Sequence, residues 1–340
     1  MKKNNTKRTI AMVLSALTAL TFTACSNSNE QQSGATASAN QETYTVGVVQ
    51  YATHPSLDNC YEGFVQGLAE EGFVEGENLK IEFQNAQNDT ANCDLMAKTL
   101  VTEQVDLLAG IATPAVMSAY SAAKDTDIPV IFTAVSDPVA AGLVKSIAEP
   151  GANCTGTSDV LPLEKQVEMI RAFLPNAKKI GILYTTSEPN SVSQLEKIEA
   201  IAPEYGFEIV SVGVTNASEV ASAAAAVVAK GADCINNFTD NNVVDNLSSV
   251  LKAAGDAGIP VFGSEIEQVR NGCLASQSID YVALGAETGR MAARALKGEA
   301  AASMPVYEVE DCTPVYNKTV CDTLGLTLPA AYQDAENVGA

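Results

Sequence analysis

From Tyr44 onward, short apolar runs alternate with longer stretches in which apolar side chains recur every three or four positions. The runs read as buried strands and the longer stretches as amphipathic helices. Residues 44–50 (YTVGVVQ) open as a strand, and 57–71 follow as a helix with Leu57, Tyr61, Phe64, Val65 and Leu68 on one face. Gly72 ends that helix. A second strand spans 79–83, and a helix over 89–103 turns Leu95, Met96, Thr99 and Leu100 inward. Strand 107–111, helix 114–124 and strand 128–133 complete the first half. Strands that are apolar throughout and separated by helices predict a parallel sheet covered on both faces.

After Pro150-Gly151 and the small-residue connection Thr155-Gly156-Thr157-Ser158, the pattern restarts. It predicts helix 163–173, ended ahead of Pro175, then strand 179–184 (KIGILY), which mirrors the opening strand. Helix 191–201, strand 207–214, an alanine-rich helix 218–230, strand 233–238, helix 243–254 and strand 259–262 follow. Asp-Ile-Pro-Val at 127–130 and Gly-Ile-Pro-Val at 258–261 each begin the last strand of their half. Ile-Pro-Val is a common strand start, so two similar sheets are implied rather than a duplication. The end differs: strand 274–279, a long helix 281–297, strand 305–309 and a small helix 318–324. A lone βα unit after two complete sets implies that the chain crosses back to the first. The expected fold class is therefore α/β: two doubly wound parallel-sheet lobes joined by a multi-crossover hinge, with ligand between them. Lobe I would comprise 44–157 with 281–304, and lobe II 158–280 with 305–330.

Charge is unevenly placed. The net charge is −21, yet Lys2, Lys3, Lys7 and Arg8 crowd the first eight positions and leave 16 basic against 41 acidic residues. A body that acidic is a poor phosphate binder, which argues against nucleic acid and anionic membrane surfaces as partners. The basic start, an apolar run at 10–22 too short to span a bilayer, and Thr23-Ala24 ahead of Cys25 resemble a bacterial lipoprotein signal. On that reading 1–24 is a signal peptide, Cys25 the lipidated residue and 25–43 a Ser/Asn/Gln-rich tether. Phe22 departs from the leucine usual there. A tether of this length holds the body roughly 20–25 Å from its anchor.

The other seven cysteines cannot all pair within one chain, and no CxxC occurs. They read as buried free thiols; Cys312 and Cys321 are the only close pair, and whether they are bridged is left open. With a single histidine, no metal site is expected. Two strand ends carry the most chemistry. Thr113-Pro114 follows strand 107–111, and Ser136-Asp137-Pro138 follows strand 128–133. Each looks like a helix start with unsatisfied N–H groups at the carboxyl end of a parallel strand, a place suited to a small anionic group.

VGVVQYATHPSLDNCYEGFVQGL, NAQND, IATPA, FTAVSDPVAAGLV, PGANCTGTSD, LPNAKKIGILY, IPVFGSE and LGAETGRMAARALKGE occur in this order over nearly all of 44–325. Together they resemble the ABC-transporter substrate-binding lipoproteins of the TrpX type. The resemblance implies a type I periplasmic-binding fold, two α/β lobes with three crossovers, and transport rather than catalysis. It also implies an aromatic amino acid such as tryptophan, phenylalanine or tyrosine as ligand, an ABC permease and ATPase as partners, and no cofactor. The chain would be an extracytoplasmic monomer held to the cell membrane through lipidated Cys25.

An amino acid presents a carboxylate, an ammonium and a side chain. Thr113 with the N–H groups after it, supported by Ala134 and Ser136, is the candidate carboxylate site. Asp240, in Thr239-Asp240-Asn241 after strand 233–238, is the first candidate for the ammonium; Asp280 is the second, with Asp137 and Asp159 behind. Gln50 and Tyr51 end the first strand, and Asn190 and Ser191 follow strand 179–184, so all four would line the same cleft, as would Asn241. Tyr51 could stack on an aromatic ligand. His54 has no Ser or Cys nucleophile nearby and reads as a hydrogen-bonding side chain rather than a base.

Other classes fit less well. A repressor sensor would need a DNA-binding segment where the leader stands. A nucleotide-using enzyme would need a GxGxxG or a P-loop, and neither is present. A binding component serving a membrane receptor, or one taking a solute other than an amino acid, is not separated from a transporter component by sequence.

Overall fold

A computed structural model describes residues 43–309 and 311–339. The expected signal peptide, Cys25 and all but the last residue of the tether lie outside them. The first lobe begins β1 (Tyr44–Gln50), α1 (Pro55–Glu70), β2 (Leu79–Asn85), α2 (Thr90–Thr102), β3 (Leu107–Ile111), α3 (Thr113–Ala123), β4 (Val130–Thr133) and β5 (Cys154–Ser158). The second lobe runs α4 (Leu163–Phe173), β6 (Lys179–Thr185), α5 (Pro189–Ile201), β7 (Glu208–Val214), α6 (Val220–Ala229), β8 (Cys234–Asn236), α7 (Asn241–Asp245), α8 (Leu247–Ala257), β9 (Val261–Phe262) and α9 (Ile266–Arg270). The return comprises β10 (Ala275–Ser278), α10 (Tyr281–Leu296), β11 (Tyr307–Glu308), β12 (Thr313–Tyr316), α11 (Lys318–Thr323) and β13 (Glu336–Asn337).

The first sheet has the order β11-β5-β4-β3-β1-β2 and is parallel throughout. The second, β7-β6-β8-β9, is parallel as well. A third, small sheet joins β10 to β12 antiparallel and β12 to β13 parallel. Burial follows the apolar runs: β3 and β4 are buried at every position.

Several boundaries differ from the sequence expectation, each for a physical reason. The 155–158 segment is a strand rather than a connection. Its polar side chains tolerate burial because each is partnered: Thr155 Oγ1 donates to the Met304 carbonyl at 2.7 Å, and Thr157 Oγ1 bonds Thr133 and Thr288 hydroxyls at 3.1 and 2.8 Å. Gly156 is required there, since a Cβ would fall 2.0 Å from the Phe132 carbonyl oxygen. The strand expected at 305–309 in lobe II is β11, and it pairs with β5 in the first sheet, Tyr307 opposite Thr157. The final crossing therefore comes after Glu308. Helix 243–254 is two helices, α7 and α8, broken at Asn246. Neither α9 nor β12, which contains Pro314, announced itself by periodicity.

Two helices bind the returning chain to the first lobe. Gly63 and Gly67 of α1 face Gly285 and Gly289 of α10 so closely that an added Cβ at any of the four would lie within 2.3 Å of a carbonyl oxygen across the interface. Backbone-to-backbone packing of this kind fixes the N-terminal ends of both helices, and each end carries residues of the site described next. All seven described cysteines are free; six are buried, and Cys312 and Cys321 form no bridge. Burial raises the thiols of Cys60, Cys154 and Cys234, which keeps them protonated and inert.

Candidate ligand-binding site

A small cavity of about 20 Å³ lies between the lobes, room for about one water. The first lobe contributes the ends of β3 and β4, the start of α1, Asp159 after β5 and Tyr281 at the start of α10. The second contributes Asn190 at the start of α5, Thr239 and Asn241 after β8, and Gln268 of α9. Leu57 and Val244 supply apolar wall from either side.

The first-lobe wall is built on strained backbone. Ala112 and Ala134 stand one residue beyond β3 and β4, with φ of 76° and 53°. A side-chain-bearing residue held there costs about 1–3 kcal/mol. The strain turns the chain abruptly into α3, whose N-terminus has no side-chain cap. Pro114 has no N–H, so the open donors of this first turn are the N–H groups of Thr113 and Ala115, which have no intrahelical partner, and the buried Thr113 Oγ1 beside them is likewise unpartnered. Hydroxyl, backbone N–H groups and helix dipole together give this corner hydrogen-bond donors and a positive potential, chemistry suited to an anionic group.

Beside it lies the opposite charge. Asp159 is 2% exposed and accepts hydrogen bonds from Ser136 Oγ at 2.9 Å and Tyr281 OH at 2.8 Å. Burial raises its pKa against the lowering effect of those two donors. Ser136 Oγ also lies 3.3 Å from Thr239 Oγ1 of the other lobe. Further out, Asp137 accepts from Ser193 Oγ at 2.6 Å and pairs with Lys197 at 2.8 Å, closing the lobes against each other.

In the second lobe the carboxylate of Asp240 is fully committed. It caps α7 through Val243 N–H at 3.0 Å and accepts from Thr185 N, Thr185 Oγ1 and Ser191 Oγ at 2.5, 2.8 and 2.6 Å. Four donors from its own lobe hold it behind the cavity wall. Glu188 is buried beside it; desolvation first, then the charge of Asp240, push its pKa up to about 8. His54 lies across the gap, its Nε2 3.5 Å from Asn241 Oδ1. Burial pushes it down to about 4, so the ring is neutral.

Of the residues singled out from sequence, Thr113, Ala134, Asn190 and Asn241 line the cavity. Ser136 stands one hydrogen bond behind it, and Ser191 serves Asp240. Asp240 itself caps rather than lines. Asp280 is exposed and caps α10 through Val282 and Ala283 N–H, away from the cavity. Gln50 is turned into its own lobe, donating to the Ala52 carbonyl and Asp58 at 2.7 Å each. Tyr51 is buried with its hydroxyl on the Asn88 carbonyl at 3.3 Å, and burial pushes its pKa up to about 12. Asp137 belongs to the outer contact between lobes. Sequence reasoning ranked Asp159 low and passed over Ser56, Gln268 and Tyr281. For Asp159, its place directly after a strand was the available signal, hidden because β5 read as a connection.

Two parallel-sheet lobes closed over a polar cavity at their strand ends define a type I periplasmic-binding protein. The chain belongs to the ABC transporter substrate binding protein family, whose model matches residues 45–335. That family consists of transport proteins that bind substrates, and the substrate-binding proteins of ABC importers work outside the cytoplasm. It is 40% identical over 281 residues to the "Tyrosine-binding protein" of Clostridioides difficile (strain R20291), covering 83% of this chain and 81% of that one. Among solved structures it resembles an ABC domain from Streptococcus pneumoniae in complex with L-Trp, with 38% identity, TM-score 0.84, and 88% and 100% of the two chains covered. A ligand-free, open substrate-binding protein with adhesive properties from Clostridium difficile matches with 39% identity over 88% and 99%, at TM-score 0.68.

Proposed function

We propose that the protein captures an aromatic L-amino acid, tyrosine or tryptophan, between its lobes and delivers it to an ABC permease with its ATPase. The observation that carries this reading is the pairing of an uncapped helix start at Thr113 with the buried carboxylate of Asp159 in one cavity. The first takes the ligand's carboxylate and the second its ammonium, the role that sequence had placed on Asp240. The ligands named for the Clostridioides difficile and Streptococcus pneumoniae relatives supply the side-chain class. The cavity is smaller than an amino acid, so capture requires the lobes to part and reclose on the ligand, which then favours the closed form. The chain acts as a monomer, tethered outside the cell membrane through lipidated Cys25.

A thermal-shift panel of amino acids, sugars and polyols tests this. L-Tyrosine or L-tryptophan at about a hundredfold excess over Kd should raise Tm by roughly 5 °C or more, and Asp159→Asn should abolish most of the rise. A rise with sugars or polyols and none with any aromatic amino acid would overturn the reading.

A further inference from the structure

We infer that Glu188, which does not line the cavity, is a positioning residue that makes the second-lobe wall read a hydrogen-bond donor, the ligand's α-ammonium. The inference rests on the aromatic amino-acid reading above and assigns how its ammonium is recognised across the lobes.

Three carboxamides line that wall, Asn190, Asn241 and Gln268; Gln268 Nε2 is held by the Phe238 carbonyl and Ser264 Oγ, and the orientation of the other two is set elsewhere. A carboxamide presents an acceptor or a donor depending on which way it is turned, so something must choose. Glu188 Oε2 does. It accepts Asn241 Nδ2 at 2.7 Å and the Asn241 backbone N–H at 3.3 Å, and Asn190 Nδ2 lies 3.4 Å away. The Thr239 carbonyl, an acceptor only, adds a second hold on Asn190 Nδ2 at 3.4 Å. With both NH₂ groups drawn towards these acceptors, both Oδ1 atoms turn the other way. Asn241 Oδ1 meets His54, a cavity residue of the opposite lobe, and Asn190 Oδ1 is buried with no partner.

Acceptors thus border the cavity from both sides: the amide oxygens of Asn190, Asn241 and Gln268 on one lobe and the Asp159 carboxylate on the other. An ammonium group has three N–H donors and is the group that satisfies such a set. It would bridge the lobes, whereas a ligand with only a carboxylate engages Thr113 and leaves the second wall unsatisfied. The unpartnered Oε1 of Glu188 leaves Oε2 an acceptor in either protonation state, so a glutamine can present the same oxygen in the same place.

The test compares Kd for L-tyrosine with Kd for 3-(4-hydroxyphenyl)propionate, which lacks only the ammonium, by calorimetry on the intact protein. Wild type should prefer L-tyrosine by about a hundredfold. Glu188→Met should reduce that preference to about tenfold by freeing both amides, Asp159 holding the remainder. Glu188→Gln should retain it in full, and Asn241→Ala should reduce it likewise even if the Met variant folds poorly. A purely structural role would weaken both ligands together and leave the ratio alone. An unchanged ratio in Glu188→Met and Asn241→Ala, or equal binding of both ligands by wild type, overturns the inference while leaving the amino-acid reading in place. Failure of wild type to bind L-tyrosine or L-tryptophan at all would instead remove that reading, and this inference with it.

Discussion

At the scale of single residues, the protonation of two buried carboxyls outside the cavity lining, Glu188 behind its wall and Glu265 capping the start of α9, depends on their being closed in. Glu188 is pushed up to about 8 and Glu265 to about 7, in both cases chiefly by desolvation. His54 is pushed down to about 4 for the same reason. A carboxyl that stays protonated when folded but ionises when unfolded gives stability that is full below its unfolded pKa and lost as pH rises to the folded one. His54 acts oppositely, its stability present above pH 6.5 and lost as pH falls towards 4. Above 6.5 the histidine's contribution is constant, so the carboxyls decide the slope. Thermal stability of the ligand-free protein should therefore fall between pH 6.5 and 8, at most by about 1.4 kcal/mol per pH unit from Glu188. Differential scanning calorimetry across that window checks it, and Glu188→Gln should flatten the upper part of the slope; a rise in Tm from 6.5 to 8 would contradict the assignment.

At the scale of elements, most helices and strands were legible because burial in a doubly covered parallel sheet imposes continuous apolar runs, as in β1, β3 and β6. What escaped notice was held by other forces. β5 is a buried strand of threonines stabilised by hydroxyl partners, so it carries no apolar run. Asp240 and Asp159 are both acidic residues just past a strand, and sequence alone cannot say which carboxylate its own lobe has already taken. The α1–α10 contact was written in plain view as glycines four apart on each helix, yet its meaning depends on the two helices meeting. It makes a sharp contrast available. In Gly67→Ala the new Cβ would sit 2.0 Å from the Ala286 carbonyl oxygen, and overpacking of this kind costs about 1–3 kcal/mol or more. Gly255→Ala, in the exposed last turn of α8, meets nothing within 4 Å and should gain up to about 1 kcal/mol of helix propensity. Urea unfolding of the two variants should move the midpoint in opposite directions; equal shifts would mean that the helices are not in backbone contact.

At the scale of the whole molecule, the lobes form a clamp. Thr113 and Asp159 sit on one jaw, and Asn190 and Asn241 on the other, with Asp137, Ser193 and Lys197 meeting at the rim. An amino acid fits this arrangement because its carboxylate and ammonium are adjacent, as the helix start and the buried carboxylate are. A ligand so held must be enclosed and shielded from water. The chain contains no tryptophan, so bound L-tryptophan would be the sole indole in the sample. Its fluorescence, excited where tyrosine does not absorb and followed as protein is added, tests the enclosure most directly. Emission should shift to the blue to a saturating limit and return to its position in water when L-tyrosine is added in excess. Emission that stays at its position in water through saturating protein would contradict the account.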